Sequence, residues 1–158
     1  MSCELPLKLS GRILVVDDSG NGRSIVSSVL RCLGLQTEEA QDGKIACEKV
    51  GAAWDAGRAF DLILMDIHMP VMDGFAATSV LRRRGYTGRI AALTADTDAG
   101  TRERCLAAGC DDYAAKPLDF KSLRDLVRRH VALARRDSVP EPESRPIRRT
   151  NRREPVAA

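Results

Sequence analysis

The chain reads as an α/β protein with a doubly wound, five-stranded parallel sheet and helices on both faces. Three features predict it. Short apolar runs recur at 13–16 (ILVV), 62–65 (LILM), 90–93 (IAAL) and, more weakly, 113–115 (YAA), and none alternates with polar residues. Unbroken apolar strands suit a parallel sheet covered on both sides, where neither face meets water. Helical patterns fill the intervals between the runs, and that strand–helix rhythm builds a sheet with right-handed crossovers.

Taken in order, the first strand, 13–16, leads into a helix whose stripe holds Ile25, Val26, Val29, Leu30 and Leu33. Gly34 follows where a left-handed cap is wanted. Residues 36–40 (QTEEA) are less apolar and suit an edge strand, one side of which meets solvent. Further helices are predicted near 43–53, 73–84 (closed by Gly85), 97–108 (closed by Gly109) and 119–134. Asp73 and Gly74 mark a helix start and turn. Asp119 follows Pro117 as a good N-cap, and Phe120, Leu123, Leu126, Val127 and Val131 form the predicted buried face of the last helix. Trp54 is expected to pack where the second helix meets the sheet.

Composition narrows the function. Only three Phe, two Tyr and one Trp are present, so Leu, Ile, Val and Ala must make the core. No apolar run approaches the roughly 18 residues that span a bilayer, and residues 1–10 do not read as a secretory signal. A cytoplasmic protein is the expectation. The net charge of +3 resides in residues 135–158, with seven Arg and four acids, and leaves 18 charges of each sign elsewhere. The body therefore exerts no overall pull on nucleic acid or membrane. Residues 136–158, interrupted by Pro140, Pro142, Pro146 and Pro155, read as a disordered tail. The five cysteines lack C-x-x-C spacing, which argues for reduced thiols over a disulfide framework or zinc site.

In this fold class ligands bind at the carboxyl ends of the strands. The first strand ends in Asp17-Asp18, the third in Asp66 and the fourth in Thr94, and the fifth runs into Lys116-Pro117. Each alone has a plain structural reading: a turn, a solvated lysine. Together they gather three carboxylates, a cation and a hydroxyl at one rim. Carboxylates so crowded call for a hard divalent cation such as Mg²⁺. The cation, lysine and hydroxyl are what a phosphoryl group needs, because its transfer depends on positioning and charge neutralisation. No G-x-x-x-x-G-K-[ST] or G-x-G-x-x-G loop is present to hold a nucleotide. A carboxylate acting as covalent nucleophile would give an acyl phosphate.

The segments ILVVDD (13–18), LILMDIHMPVMDG (62–74), ALTA (92–95) and DDYAAKP (111–117) resemble the receiver domain of two-component response regulators, especially receivers attached to hybrid histidine kinases. Order and spacing match over residues 11–133, giving a lead-in at 1–10, a receiver at 11–135 and the tail beyond. The resemblance implies a flavodoxin-like strand order 2-1-3-4-5 and a phosphoacceptor switch rather than an enzyme. Its donor would be a histidine kinase or histidine phosphotransfer protein, with no nucleic-acid partner. It implies Asp66 as acceptor, and Mg²⁺, or Mn²⁺ in its place, on Asp18, Asp66 and the backbone carbonyl of His68, with Asp17 acting through water. Lys116 would hold one phosphoryl oxygen. Thr94 and the backbone N–H groups of Ile67 and Ala95 would meet others, with Tyr113 turning inward alongside Thr94. The Lys116-Pro117 bond is expected to be cis. Two features depart from the pattern: the Gly-rich Ser19-Gly20-Asn21-Gly22, which leaves the start of the first helix open, and His68, whose imidazole is read as a loop side chain with a metal ligand as the alternative.

Other classes fit less well. An aspartyl-phosphate phosphatase would carry D-x-D on the first strand and a large cap domain. A flavin binder would need a Ser/Thr/Gly-rich phosphate loop and flanking aromatics. An Arg-tail nucleic-acid module would want aromatics for stacking. Whether the receiver stands alone or follows a kinase, as the LSGR lead-in suggests, stays open, as does its oligomeric state.

Overall fold

A computed structural model describes residues 9–96 and 98–137. The proposed tail lies outside the described residues, apart from the last turn of the final helix, and so does nearly all of the lead-in. The elements alternate as expected: β1 (Arg12–Val16), α1 (Gly20–Cys32), β2 (Gln36–Ala40), α2 (Gly43–Asp55), β3 (Leu62–Asp66), α3 (Gly74–Arg83), β4 (Arg89–Thr94), α4 (Ala99–Ala108), β5 (Asp112–Ala115) and α5 (Phe120–Asp137). All strands pair in parallel in the order β2-β1-β3-β4-β5.

Alternate residues of β1, β3 and β4 serve two cores. Leu14, Val16, Ile63, Met65, Ile90 and Ala92 pack with α2, α3 and α4 on one face. Ile13, Val15, Leu62, Leu64, Ala91 and Leu93 pack with α1 and α5 on the other. Both faces are dry, which is why these strands show no polar alternation. All five helices begin on a side-chain cap: Asp42, Asp73, Asp98 and Asp119 each accept from a backbone N–H three residues on at 2.6–2.8 Å, and Ser19 does so from Gly22 at 3.2 Å.

Three packing expectations are corrected. Ile25 is 65% exposed. Its helix is rotated so that buried Ser27, bonded to Glu39 of β2 at 2.9 Å, takes the inner face, and hydrophobic periodicity does not register that bond. Phe120 is 52% exposed, because Leu118, before the helix, packs on the core in its stead. Trp54 is 44% exposed and lies edge-on to Tyr86 of the α3–β4 loop, while the neighbouring Ala53 takes the buried position.

Candidate functional site

Parallel pairing brings the carboxyl ends of β1, β3, β4 and β5 to one rim. Asp66, the last residue of β3, pairs with Leu93, and Thr94 pairs with Ala115, one residue before Lys116. The Lys116-Pro117 peptide is cis. Asp17 and Asp66 are buried and Asp18 is exposed. The three carboxylates offer oxygens that all lie within 4.8 Å of one another, a cluster that could hold a metal ion. The donor set is all oxygen, as a hard divalent cation requires.

Lys116 supplies the counter-charge. Its Nζ reaches Asp17 Oδ2 at 2.9 Å and Asp66 Oδ2 at 3.2 Å. Burial works against the charge of all three groups, and the balance differs at each. For Asp66 burial wins over the pull of Lys116 and holds the carboxyl above its ordinary range. For Asp17 burial is outweighed by Lys116 and by the Ser19 N–H, and its carboxyl falls below that range. Lys116 is also desolvated, yet the two carboxylates raise its value overall. Asp17 is tied down throughout: its N–H donates to the Ala40 carbonyl at 3.1 Å, and its Oδ1 accepts from Ser19 N–H at 2.9 Å. A carboxylate held ionised, a fixed lysine and a less acidic carboxylate beside them form an electrostatically focused pocket.

Thr94 is fully buried at the same rim, with its hydroxyl turned into its own loop. Oγ1 accepts from Asp96 N–H at 3.0 Å and donates to the Asp96 carbonyl at 3.1 Å. Tyr113 is opposite Ala92, two residues before Thr94, so Tyr113 and Thr94 share one sheet face. The Arg102 guanidinium lies over the Tyr113 ring at 5.7 Å.

The N–H of Ile67, one of the two backbone donors expected at the phosphoryl group, donates to the Leu93 carbonyl at 3.0 Å in this structure, completing the β3–β4 ladder. The backbone N–H that draws the Asp66 carboxyl down, against burial, is that of His68. Side-chain patterns do not encode which backbone N–H a strand end leaves over. A residue absent from the sequence reading is Arg23, whose Nη1 donates to the Asp17 carbonyl at 2.6 Å. The Gly-rich stretch does not delay α1, which starts at Gly20 behind the N-cap Ser19. Gly74 is essential to the geometry: a Cβ there would lie 2.4 Å from the Asp66 carbonyl oxygen.

Fold and rim together define a receiver, and the chain belongs to the response regulator receiver domain family, whose model matches residues 13–128. It is thus a receiver domain of two-component phosphorelay systems. Among relatives, it is 39% identical over 124 residues to hybrid signal transduction histidine kinase M of Dictyostelium discoideum, covering 75% of this chain and 5% of that protein. The chain therefore spans a small part of such kinases. It is 34% identical to two-component response regulator 24 of Arabidopsis thaliana, over 78% of this chain and 88% of the relative. The solved chemotaxis protein CheY4 of Vibrio cholerae superimposes with a TM-score of 0.71 at 32% identity, covering 77% and 98% of the two chains. Among the described residues no helix is long and apolar enough to cross a membrane.

Proposed function

We propose that this receiver takes a phosphoryl group from a phosphohistidine donor onto the Asp66 side chain in a Mg²⁺-dependent step. The donor would be a histidine kinase or histidine phosphotransfer protein of a cytoplasmic relay. The observation that carries this reading is Lys116 Nζ bridging Asp17 and Asp66 within a trio of carboxylates at the strand ends. Asp18, Asp66 and the His68 carbonyl would hold Mg²⁺ directly, with Asp17 acting through water. The bound cation would neutralise charge on the phosphoryl oxygens.

In the transfer, an Asp66 oxygen forms the O–P bond as the P–N bond of phosphohistidine breaks, and the imidazole keeps the electron pair. Lys116 moves its contact from Asp66 to a phosphoryl oxygen, while the N–H groups of His68 and Ala95 serve others. The new dianion also attracts Thr94, which must give up both bonds to Asp96. The space it leaves admits Tyr113 from the next strand. Two states of the face made by α4, β5 and α5 result, and phosphorylation shifts their populations, which a partner distinguishes.

Incubation with acetyl phosphate tests the reading. With Mg²⁺ the intact mass should rise by about 80 Da, the mass of one phosphoryl group. EDTA or Asp66→Asn should prevent the gain, since an amide is a poor nucleophile. Equal labelling of the variant would overturn the assignment.

A further inference from the structure

The Gly-rich turn after the acid pair is followed by one more residue that meets the acid pocket. Gly20 is open where Arg23 crosses the first turn of α1: a Cβ there would lie 3.8 Å from Arg23 Nη2. Gly22 lies against the acid pocket, and a Cβ there would come within 3.0 Å of Asp17 Oδ2. The contact at Gly20 is an ordinary one that a side chain would not disturb, whereas at Gly22 a side chain would crowd the carboxylate. The half-buried Arg23 reaches back from the first turn of α1 and donates from Nη1 to the Asp17 carbonyl at 2.6 Å.

That carbonyl belongs to the peptide linking Asp17 to Asp18. Gripping it fixes the plane of the peptide, and with it the direction in which Asp18 leaves the chain. The Asp17 side chain has its own anchors in Ser19 N–H and Lys116. Asp18 is exposed, so packing does little to place its carboxylate and the backbone sets the direction in which it leaves.

We infer that Arg23 is a positioning residue for the divalent-cation site, holding the Asp17–Asp18 peptide so that the Asp18 carboxylate faces Asp66. This inference rests on the Mg²⁺ reading above. Its direction opposes simple electrostatics. Arg23 is a cation beside a cation site, so through charge alone its removal would tighten Mg²⁺ binding. As a positioning group, its removal weakens binding.

Mg²⁺ titrations of wild type, Arg23→Met and Arg23→Lys, followed by backbone amide shifts, separate the two. Hydrogen exchange of the Ser19 amide in metal-free protein provides a readout independent of the metal. Arg23→Met should raise the Mg²⁺ Kd about tenfold, as loss of a group that orients a ligand does. It should also speed Ser19 exchange, with Arg23→Lys falling between. Unchanged or tighter Mg²⁺ binding in Arg23→Met overturns the inference. So does faster exchange spread evenly over β1 and α1 with an unchanged Kd, which marks a merely stabilising role. If wild type itself does not respond to Mg²⁺, the cation reading fails, and the metal-free exchange alone decides whether Arg23 holds the turn.

Discussion

Asp66→Asn should stabilise the metal-free protein, although it destroys the proposed acceptor. The substitution keeps shape and removes one charge from a site that is 5% exposed. At 4.8 Å, the outer limit of the carboxylate cluster, two like charges repel by about 3.5 kcal/mol at an effective dielectric constant near 20. Asp17 contributes most of such a repulsion, while solvent screening discounts the share of exposed Asp18. Lys116 at 3.2 Å attracts Asp66 by about 5 kcal/mol on the same scale. The Coulomb contributions oppose each other and leave a net attraction of about 1.5 kcal/mol, which burial must outweigh for the charge to be disfavoured. This agrees with an Asp66 carboxyl held above its ordinary value of 3.8, chiefly by burial. A raised folded-state value means the fold disfavours the ionised form. The penalty is absent below about pH 4, grows as pH climbs from the ordinary value through the raised one, and is complete above it. The expected gain for Asp66→Asn at pH 7 in EDTA is on the order of 1–2 kcal/mol, or a rise in Tm of about 3–8 °C. Thermal unfolding by circular dichroism across pH measures it. The two proteins should converge at acidic pH, and saturating Mg²⁺ should raise wild type more than the variant. A lower Tm for the variant in EDTA at pH 7 would refute the reasoning.

Lys116→Met removes the only cation bonded to both Asp17 and Asp66 among the described residues and should cost about 3 kcal/mol in EDTA, since it leaves buried carboxylates unpaired. Urea unfolding would show the loss, partly restored by Mg²⁺; an unchanged midpoint contradicts it. Gly74→Ala places a Cβ against the Asp66 carbonyl and Ile67 Cα, and overpacking of this kind costs about 1–3 kcal/mol. Slower uptake from acetyl phosphate should accompany the lower urea midpoint, and wild-type behaviour in both would show that the loop yields freely. Thr94→Ala and Tyr113→Ala should still accept phosphate while losing the response of the α4–β5–α5 face. Amide shifts of residues 98–108 and 112–125, with and without beryllofluoride and Mg²⁺, decide this, and equal responses in all three proteins would sink the relay.

The sheet could be read from sequence because its strands are buried on both faces and carry their signal in every residue, as in 62–65. The rim could be read because its chemistry lies in side chains that end strands: Asp17, Asp66, Thr94 and Lys116. What escaped lies in backbone direction and helix rotation. Ile67 and His68 differ only in which N–H the β3–β4 ladder consumes, and no residue type records that. Ile25 looked buried because the Ser27–Glu39 bond that turns α1 is polar. Arg23 escaped because its partner is a carbonyl, which every residue possesses.

Locating the phosphoryl group is the most direct test of the proposed chemistry. Borohydride reduces an acyl phosphate on aspartate to homoserine, which peptide mapping by mass spectrometry places to the residue. After incubation with acetyl phosphate and Mg²⁺, homoserine should appear at position 66 and nowhere else. Homoserine at Asp17 or Asp18 instead, or phosphate retained on a residue that borohydride does not reduce, would contradict Asp66 as the acceptor.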